Sequence, residues 1–302
     1  MNKMVRTNPF PGLRAFSPEE EYLFFGRVES TSKVVARLIE NRFVAVIWAS
    51  GSGKSSLVLS GVIPSLRKEE AKSKKTWSYI VVRPELNPVD NLANELSGLS
   101  AKPGFTYMSP AAVAASLHNR SEGIIDIVNK IRKNLRQQVL IFIDQFEEIF
   151  RYSPVASRGA SGDEATEFID MLVNAAQQPD QGLYFILTLR SEYVSECSRF
   201  HSLTNLLNNG SYLLPQLSRD TLVSVIEEPV KLSGATIDRA VVRSIINDFG
   251  DKPGQLPVLQ HMLMRMWNHW GKYDDLSRPI SFADYEAVGK MKGAISQHAG
   301  QA

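Results

Sequence analysis

FVAVIWASGSGKSS, residues 43–56, is the stretch on which the fold turns. Its first six residues, FVAVIW, are apolar and β-branched, which reads as a buried strand. The next eight, ASGSGKSS, are almost all small, and SSLVLSGVI then runs on as a helix. A small-residue loop between a strand and a helix turns successive backbone N–H groups inward at the positive end of the helix dipole, where they can cradle phosphate. Gly51 and Gly53 let the backbone approach closely, Lys54 would reach the β- and γ-phosphates, and the Ser55 hydroxyl suits a magnesium ion. Ser50, Ser52 and Ser56 complete the candidate cradle. The usual pattern is G-x-x-x-x-G-K-[ST], and Trp48 stands where its first glycine would be. That departure falls at the strand exit and leaves the cradle intact. A flexible turn with an exposed lysine is the plain alternative, and the intact G-K-S-S end between a strand and a helix argues against it.

Working outward, VLIFIDQFEEIF at 139–150 is a second apolar strand that ends in acid. Asp144 at the strand's carboxyl end is placed to hold magnesium beside a phosphate loop, and either Glu147 or Glu148 could polarise an attacking water. An ordinary acidic helix start would look the same in isolation. Coupled to the phosphate loop upstream, the catalytic reading is preferred. In YFILTLRSEY, Arg190 at a strand end is a candidate γ-phosphate sensor, and Thr188, two residues earlier on the same face, a weaker candidate for bonding the water.

Further strands are expected at 78–82, 183–189 and, more weakly, 211–217, with amphipathic helical stretches between them. This alternation predicts an α/β fold with a parallel sheet covered on both faces, and a neighbour inserted between its two functional strands. Ser218 and Asp220 offer N-cap chemistry to a helix after the last strand. Beyond about residue 236 the strand signal stops. Segments 237–250, 255–270 and 281–299 carry apolar residues at helical spacing, punctuated by Gly250, Pro253 and Gly271, and predict a compact helical domain. The charged run RKEEAKSKK at 67–75 reads as a solvated connection.

Composition sets the outer bounds. In 302 residues, 43% are hydrophobic and 22% charged, enough to bury a sizeable core and too apolar for a disordered chain. Lys and Arg number 34 against 32 Asp and Glu, so charge alone argues for no nucleic-acid or acidic-membrane partner. The single cysteine, Cys197, forms no internal disulfide, no apolar run marks a signal peptide near the start, and none approaches the roughly 20 residues that cross a bilayer. A cytoplasmic location is the expectation.

Seven segments in order carry a family resemblance: NPFPGLRAF, YLFFGR, ASGSGKSSL, DQFEEIF, TLRSEY, YLLPQLSRDTL and GQLPVLQHML. Together they closely resemble the novel STAND branch of the bacterial signal-transduction ATPases with numerous domains, over nearly the whole chain. The resemblance implies an ASCE-type P-loop sheet followed by a small all-helical domain. It implies a lead-in over the nucleotide site at 1–27, a nucleotide-binding domain at 28–235 and a helical lid at 236–302. Phe25, Gly26 and Arg27 match the family's lead-in over the adenine, and Pro257 matches the proline that packs on the base. The implied activity is a switch that binds ATP or ADP with Mg2+, hydrolyses ATP slowly and self-associates on activation, in signalling or defence. Related proteins usually carry effector, winged-helix and sensor parts, so an excised module or a minimal member is expected. A motor ATPase acting on nucleic acid or protein, or a non-catalytic nucleotide-binding module, are the alternatives.

Overall fold

The computed structural model describes residues 7–118, 123–134, 136–152, 164–178, 182–250, 254–273 and 277–293. Pro253 and the part of the expected last helix beyond Gly293 lie outside the described residues. Packing divides the chain into two compact units, one of Ser30–Trp48 with Val62–Leu214, the other of Met1–Glu29, Ala49–Gly61 and Pro215–Ala302.

The first unit is built on five parallel strands: β1 (Phe43–Trp48), β2 (Thr76–Val82), β3 (Gln137–Ile143), β4 (Leu183–Arg190) and β5 (Ser211–Leu213). Their order across the sheet is β2-β3-β4-β1-β5, so β4 is the neighbour inserted between β1 and β3. The expected strands are present. The fifth is shorter than its apolar run, because Pro215 has no N–H with which to extend the ladder. β1, β3 and β4 are buried along almost every residue, which requires cover on both faces and explains why their sequences are continuous rather than alternating. Phe43, Phe142, Phe168 and Phe185 are the largest fully buried side chains of the sheet strands and of helix Glu164–Gln177. Helices Pro88–Ser100, Pro110–His118, Ile124–Ile131, Glu164–Gln177 and His201–Gly210 contribute to one core with Phe43, Ile141 and Phe185 of the sheet.

The second unit has its own apolar core, made by helices Arg219–Leu232, Arg239–Phe249, Leu256–Trp270 and Phe282–Ala287, with Phe10 of the lead-in inserted among them. Ser218 caps the first of these helices, its Oγ accepting from the Thr221 N–H at 3.2 Å. Gly250, at φ 59°, closes the second. A buried carboxylate joins the last two: Asp284 accepts two bonds from the Arg278 guanidinium at 2.7 and 2.8 Å, one from the Ser281 N–H at 2.9 Å, and meets His269 Nδ1 at 3.0 Å.

The helix after the phosphate loop is not uniform. It runs as α over Lys54–Ser56, widens to π over Leu57–Val62 and returns to α over Ile63–Ser73. Pro64 supplies the reason: it has no N–H to give the Ser60 carbonyl and its ring crowds that oxygen, so the turn ahead of it must open. Among the described residues no helix is long and apolar enough to cross a membrane.

Candidate functional site

The loop from Ser50 to Gly53 depends on two left-handed glycines, Gly51 at φ 67° and Gly53 at φ 83°. Space enforces the choice as well as torsion. A Cβ on Gly51 would lie 2.4 Å from the Gly254 carbonyl oxygen, and one on Gly254, itself at φ 81°, 2.6 Å from the Ser50 carbonyl oxygen. Gly254 opens the segment GQLP, so backbone meets backbone here with no room for a side chain on either strand of the contact. Pro257 follows in the first turn of helix Leu256–Trp270, and Leu256 would be the nearest neighbour of a Cβ on Gly53, at 3.7 Å.

Inside the loop, Lys54 folds back and donates from Nζ to the Ala49 carbonyl at 2.9 Å. The Ser52 hydroxyl is buried and has no hydrogen-bond partner. Burying such a group without a partner costs about 1–3 kcal/mol, so it marks a place suited to a further acceptor or donor. Ser55 continues the helix beside Lys54, and the Ser56 Oγ accepts from the Phe16 N–H at 3.2 Å. That bond and the one from Ser60 Oγ to the Ser17 carbonyl, 2.8 Å, tie the lead-in to the loop's helix.

Arg27 is buried, and its guanidinium donates to the Ser52 carbonyl at 3.1 Å and to the Pro215 carbonyl at 2.6 Å. It therefore braces the phosphate loop from behind, which the sequence did not suggest. Gly26, at φ 83°, sits so close to the helix Arg219–Leu232 that a Cβ would fall 2.7 Å from Thr221 Cγ2 and 2.8 Å from Val225 Cγ2. Phe25 is half-buried next to it. Phe25, Gly26, Arg27, Ser50 to Ser56 and Pro257 are thus held by one packed unit.

Asp144, Glu147, Glu148 and Arg190 belong to the sheet unit and converge at the carboxyl ends of β3 and β4. Asp144 is 2% exposed; its Oδ1 accepts from the Thr188 hydroxyl at 2.8 Å, and its Oδ2 lies 3.4 Å from a nitrogen of Arg83. Thr188 Oγ1 also accepts from the Gln145 N–H at 2.9 Å, and the Thr188 carbonyl from the Phe146 N–H at 2.9 Å. Gln145 adopts φ 59°, and these bonds hold the reversal that turns the chain out of β3. The sequence offered the Thr188 hydroxyl to a water; here it orients Asp144.

The two glutamates differ. Glu147 is buried, with Oε1 2.8 Å from Arg190 Nε and Oε2 accepting from the Arg190 backbone N–H at 3.2 Å. Glu148 has a buried Oε2 with no hydrogen-bond partner. Burial pushes its carboxyl up, the nearby Glu85 and Glu147 carboxylates push the same way, and Arg83 and the Glu85 backbone N–H only partly offset them. Arg83 was not anticipated, although it directly follows β2 in RPE, much as Arg190 ends β4 in RSE. Trp48 is paired in register with Arg190 at the last position of β1.

Among the described residues no group of three or more His, Cys, Asp or Glu could hold a metal ion. The Asp144 carboxylate of the sheet unit and the Ser55 hydroxyl of the loop unit each carry oxygen, the donor type that magnesium takes from protein.

A family model described as nSTAND1, Novel STAND NTPase 1, matches residues 9–302. The Aeropyrum pernix ORC1 protein, solved in complex with DNA, is similar in structure with a TM-score of 0.59 at 11% identity, over 94% of this chain and 67% of that one. The Aeropyrum pernix ORC2 protein, solved as ADPNP–ADP complexes, gives 0.54 at 14%, over 90% and 67%. A Walker-type ATPase of Pyrococcus abyssi gives 0.52 at 15%, over 94% and 73%. At these identities the likeness is one of fold. No curated protein matches the sequence.

Proposed function

The chain belongs to the Novel STAND NTPase 1 family, and from that premise we propose that it is an ATP-driven switch whose nucleotide state sets its conformation and self-association in signalling or defence. The observation that carries the reading is the phosphate loop itself: two left-handed glycines, a buried Ser52 hydroxyl with no partner, and Lys54 folded over the loop. An adenine nucleotide is the ligand of choice, and the ADPNP–ADP complexes of the similar ORC2 protein support it.

In this reading the amides of Ser50 to Ser56 bind the phosphates, and Lys54 exchanges the Ala49 carbonyl for phosphate oxygens, a charge-assisted bond replacing a neutral acceptor. Arg27 keeps the loop in its binding conformation. Phe25 and Gly26 border the adenine, and Pro257 lies on the base with a rigid face that has no N–H to satisfy. Ser55 and Asp144 would hold magnesium, which when bound neutralises charge developing on the β- and γ-phosphates. Thr188 fixes the Asp144 carboxylate, Glu147 or Glu148 orients the attacking water, and Arg190 reports on the γ-phosphate. The residues 236–302 act as the lid that follows the nucleotide state. Full switching requires ATP and ADP to differ by on the order of 5 kcal/mol in their preference for the two arrangements.

Thermal unfolding with ATP, ADP and magnesium tests this. Nucleotide at about 100 times its dissociation constant should stabilise the protein by roughly 2.7 kcal/mol. Lys54→Ala should abolish that gain without lowering the melting temperature of the free protein. The reading is lost if no nucleotide shifts the wild-type transition.

A further inference from the structure

We propose that the amino end of the sheet, opposite the candidate catalytic carboxylates, is a surface that binds double-stranded nucleic acid through its phosphates. This stands independently of the nucleotide reading above.

The whole chain is close to neutral, with 34 Lys and Arg against 32 Asp and Glu. At one place its cations are gathered. Three segments remote in sequence meet where β2 and β3 begin: the end of helix Ile63–Ser73, the loop after helix Pro88–Ser100 and the turn ahead of β3. The Thr76 N–H donates to the Arg136 carbonyl at 3.0 Å, and the Gln137 side chain accepts from the Lys133 N–H at 2.8 Å and donates to the Gly104 carbonyl at 2.7 Å. The Tyr79 ring has the Arg67 guanidinium 5.3 Å from its centre and the Lys102 ammonium 5.9 Å from it. Arg67, Lys74, Lys75, Lys102, Lys133 and Arg136 are thereby drawn together, and all six are exposed. None of them forms an ion pair among the described residues, and Lys102 feels the Glu95 carboxyl only at longer range. In segments 67–79, 102–107 and 132–137 the acidic residues are Glu69 and Glu70, and Glu70 Oε1 is already engaged by the Trp77 N–H at 2.6 Å.

Like charges held together repel, and an array of anions relieves that repulsion. The backbone bonds between the three segments fix where these cations stand. Fixed charges suit a duplex, which presents one phosphate charge per about 1.7 Å of its axis, better than a fluid lipid surface. In these segments Tyr107 is the one large apolar side chain exposed among the described residues. A membrane surface would use several for insertion, and a single strand would need several aromatic platforms for its bases. Contacts to phosphate alone carry no sequence information. β3 is seven residues long, so Asp144 beyond its other end is on the order of 20 Å away and is left uncovered by nucleic acid on this face.

Fluorescence anisotropy of the full chain with short labelled duplexes of two unrelated sequences tests this. Affinity should be alike for both sequences and fall by roughly 100-fold or more between about 50 and 200 mM salt, as about four phosphate contacts require. Lys75→Gln with Lys133→Gln, and separately Lys74→Gln with Arg136→Gln, should each flatten the slope of log affinity against log salt by roughly 1.8. Lys272→Gln, at an exposed lysine of the helical unit, should leave the slope unchanged. Melting temperatures of all three variants should match the wild type, since every substituted side chain is exposed. Single strands of the same length and phosphatidylserine vesicles should bind more weakly than the duplex. The surface is lost if no duplex binds at about 50 mM salt with protein at about 100 µM, or if both double variants keep the wild-type slope. Tighter binding to single strands or to vesicles overturns the duplex as its ligand.

Discussion

Gly51 and Arg27 are the residues whose roles are sharpest in physical terms. Alanine at Gly51 meets two penalties, a left-handed φ of 67° and a carbonyl oxygen 2.4 Å from the new Cβ. Backbone in that region costs about 1–3 kcal/mol for an ordinary side chain. Gly51→Ala should therefore lower stability by at least about that amount in urea unfolding and remove the stabilisation by nucleotide. Gly98 is the control. It lies inside helix Pro88–Ser100 with nothing within 4 Å of the position a Cβ would take, so Gly98→Ala should raise stability by about 0.5–1 kcal/mol. Arg27 shows how an assignment by motif and an assignment by contact can differ in kind. Its match to a nucleotide-site motif is legible in FFGR, whereas its bonds to the Ser52 and Pro215 carbonyls join positions 25 and 188 residues away, which no local pattern encodes.

At the scale of elements, β3 and β4 act as a pair. Their parallel register continues into side chains, with Thr188 bonded to Asp144 and Gln145, and Arg190 to Glu147. Thr188→Val keeps the shape of the side chain and removes its hydroxyl. The Gln145 N–H then loses its acceptor and Asp144 its donor, a cost of about 1–3 kcal/mol for a buried group left unmade. Magnesium-dependent nucleotide binding should weaken more than magnesium-free binding, read by calorimetric titration with and without the metal, because the carboxylate that Thr188 orients is the proposed metal ligand. An equal loss in both conditions would place the effect of Thr188 on the fold alone. The helix after the phosphate loop shows the opposite relation. Its helical run was legible from residue 55, but the widening over Leu57–Val62 arises from one proline at position 64 acting backward along the chain.

For the whole molecule, the two cores report on stability through different groups. In the helical core, burial alone would raise the Asp284 carboxyl, but hydrogen bonds from Arg278, Ser281 and His269 outweigh it and hold it well below the usual range. A carboxyl lowered by folding adds stability that is present above its unfolded value and is lost as pH falls toward the folded one. Stability should thus decline below about pH 4. Asp284→Asn should cost about 1.5–3 kcal/mol at neutral pH by replacing the charged acceptor of Arg278 and His269 with a neutral amide, and should flatten the acid limb of the melting-temperature profile. In the sheet core, Cys197 is buried and its thiol is pushed up to about 12 by burial, so too little thiolate exists at neutral pH to react. Thiol labelling should accordingly follow global unfolding, with a denaturant midpoint equal to that from circular dichroism. Labelling well ahead of that midpoint would reveal local opening around the helix Val194–Cys197.

The sequence by itself determined the layout of the sheet and the chemical character of its strand ends. Continuous apolar runs can satisfy their surfaces only when covered on both faces, and Gly, Lys, Ser and Asp at strand exits carry their chemistry locally. The helical tail was legible for the same reason, since its apolar spacing depends only on neighbours three and four residues apart. What only the tertiary structure decided was pairing over long separations: Gly51 against Gly254, Arg27 beneath Ser52, Asp144 with Thr188, and Glu147 rather than Glu148 with Arg190. Those contacts arise where distant segments pack, and adjacent glutamates that look alike in sequence acquire different partners because successive residues in a turn face different neighbours.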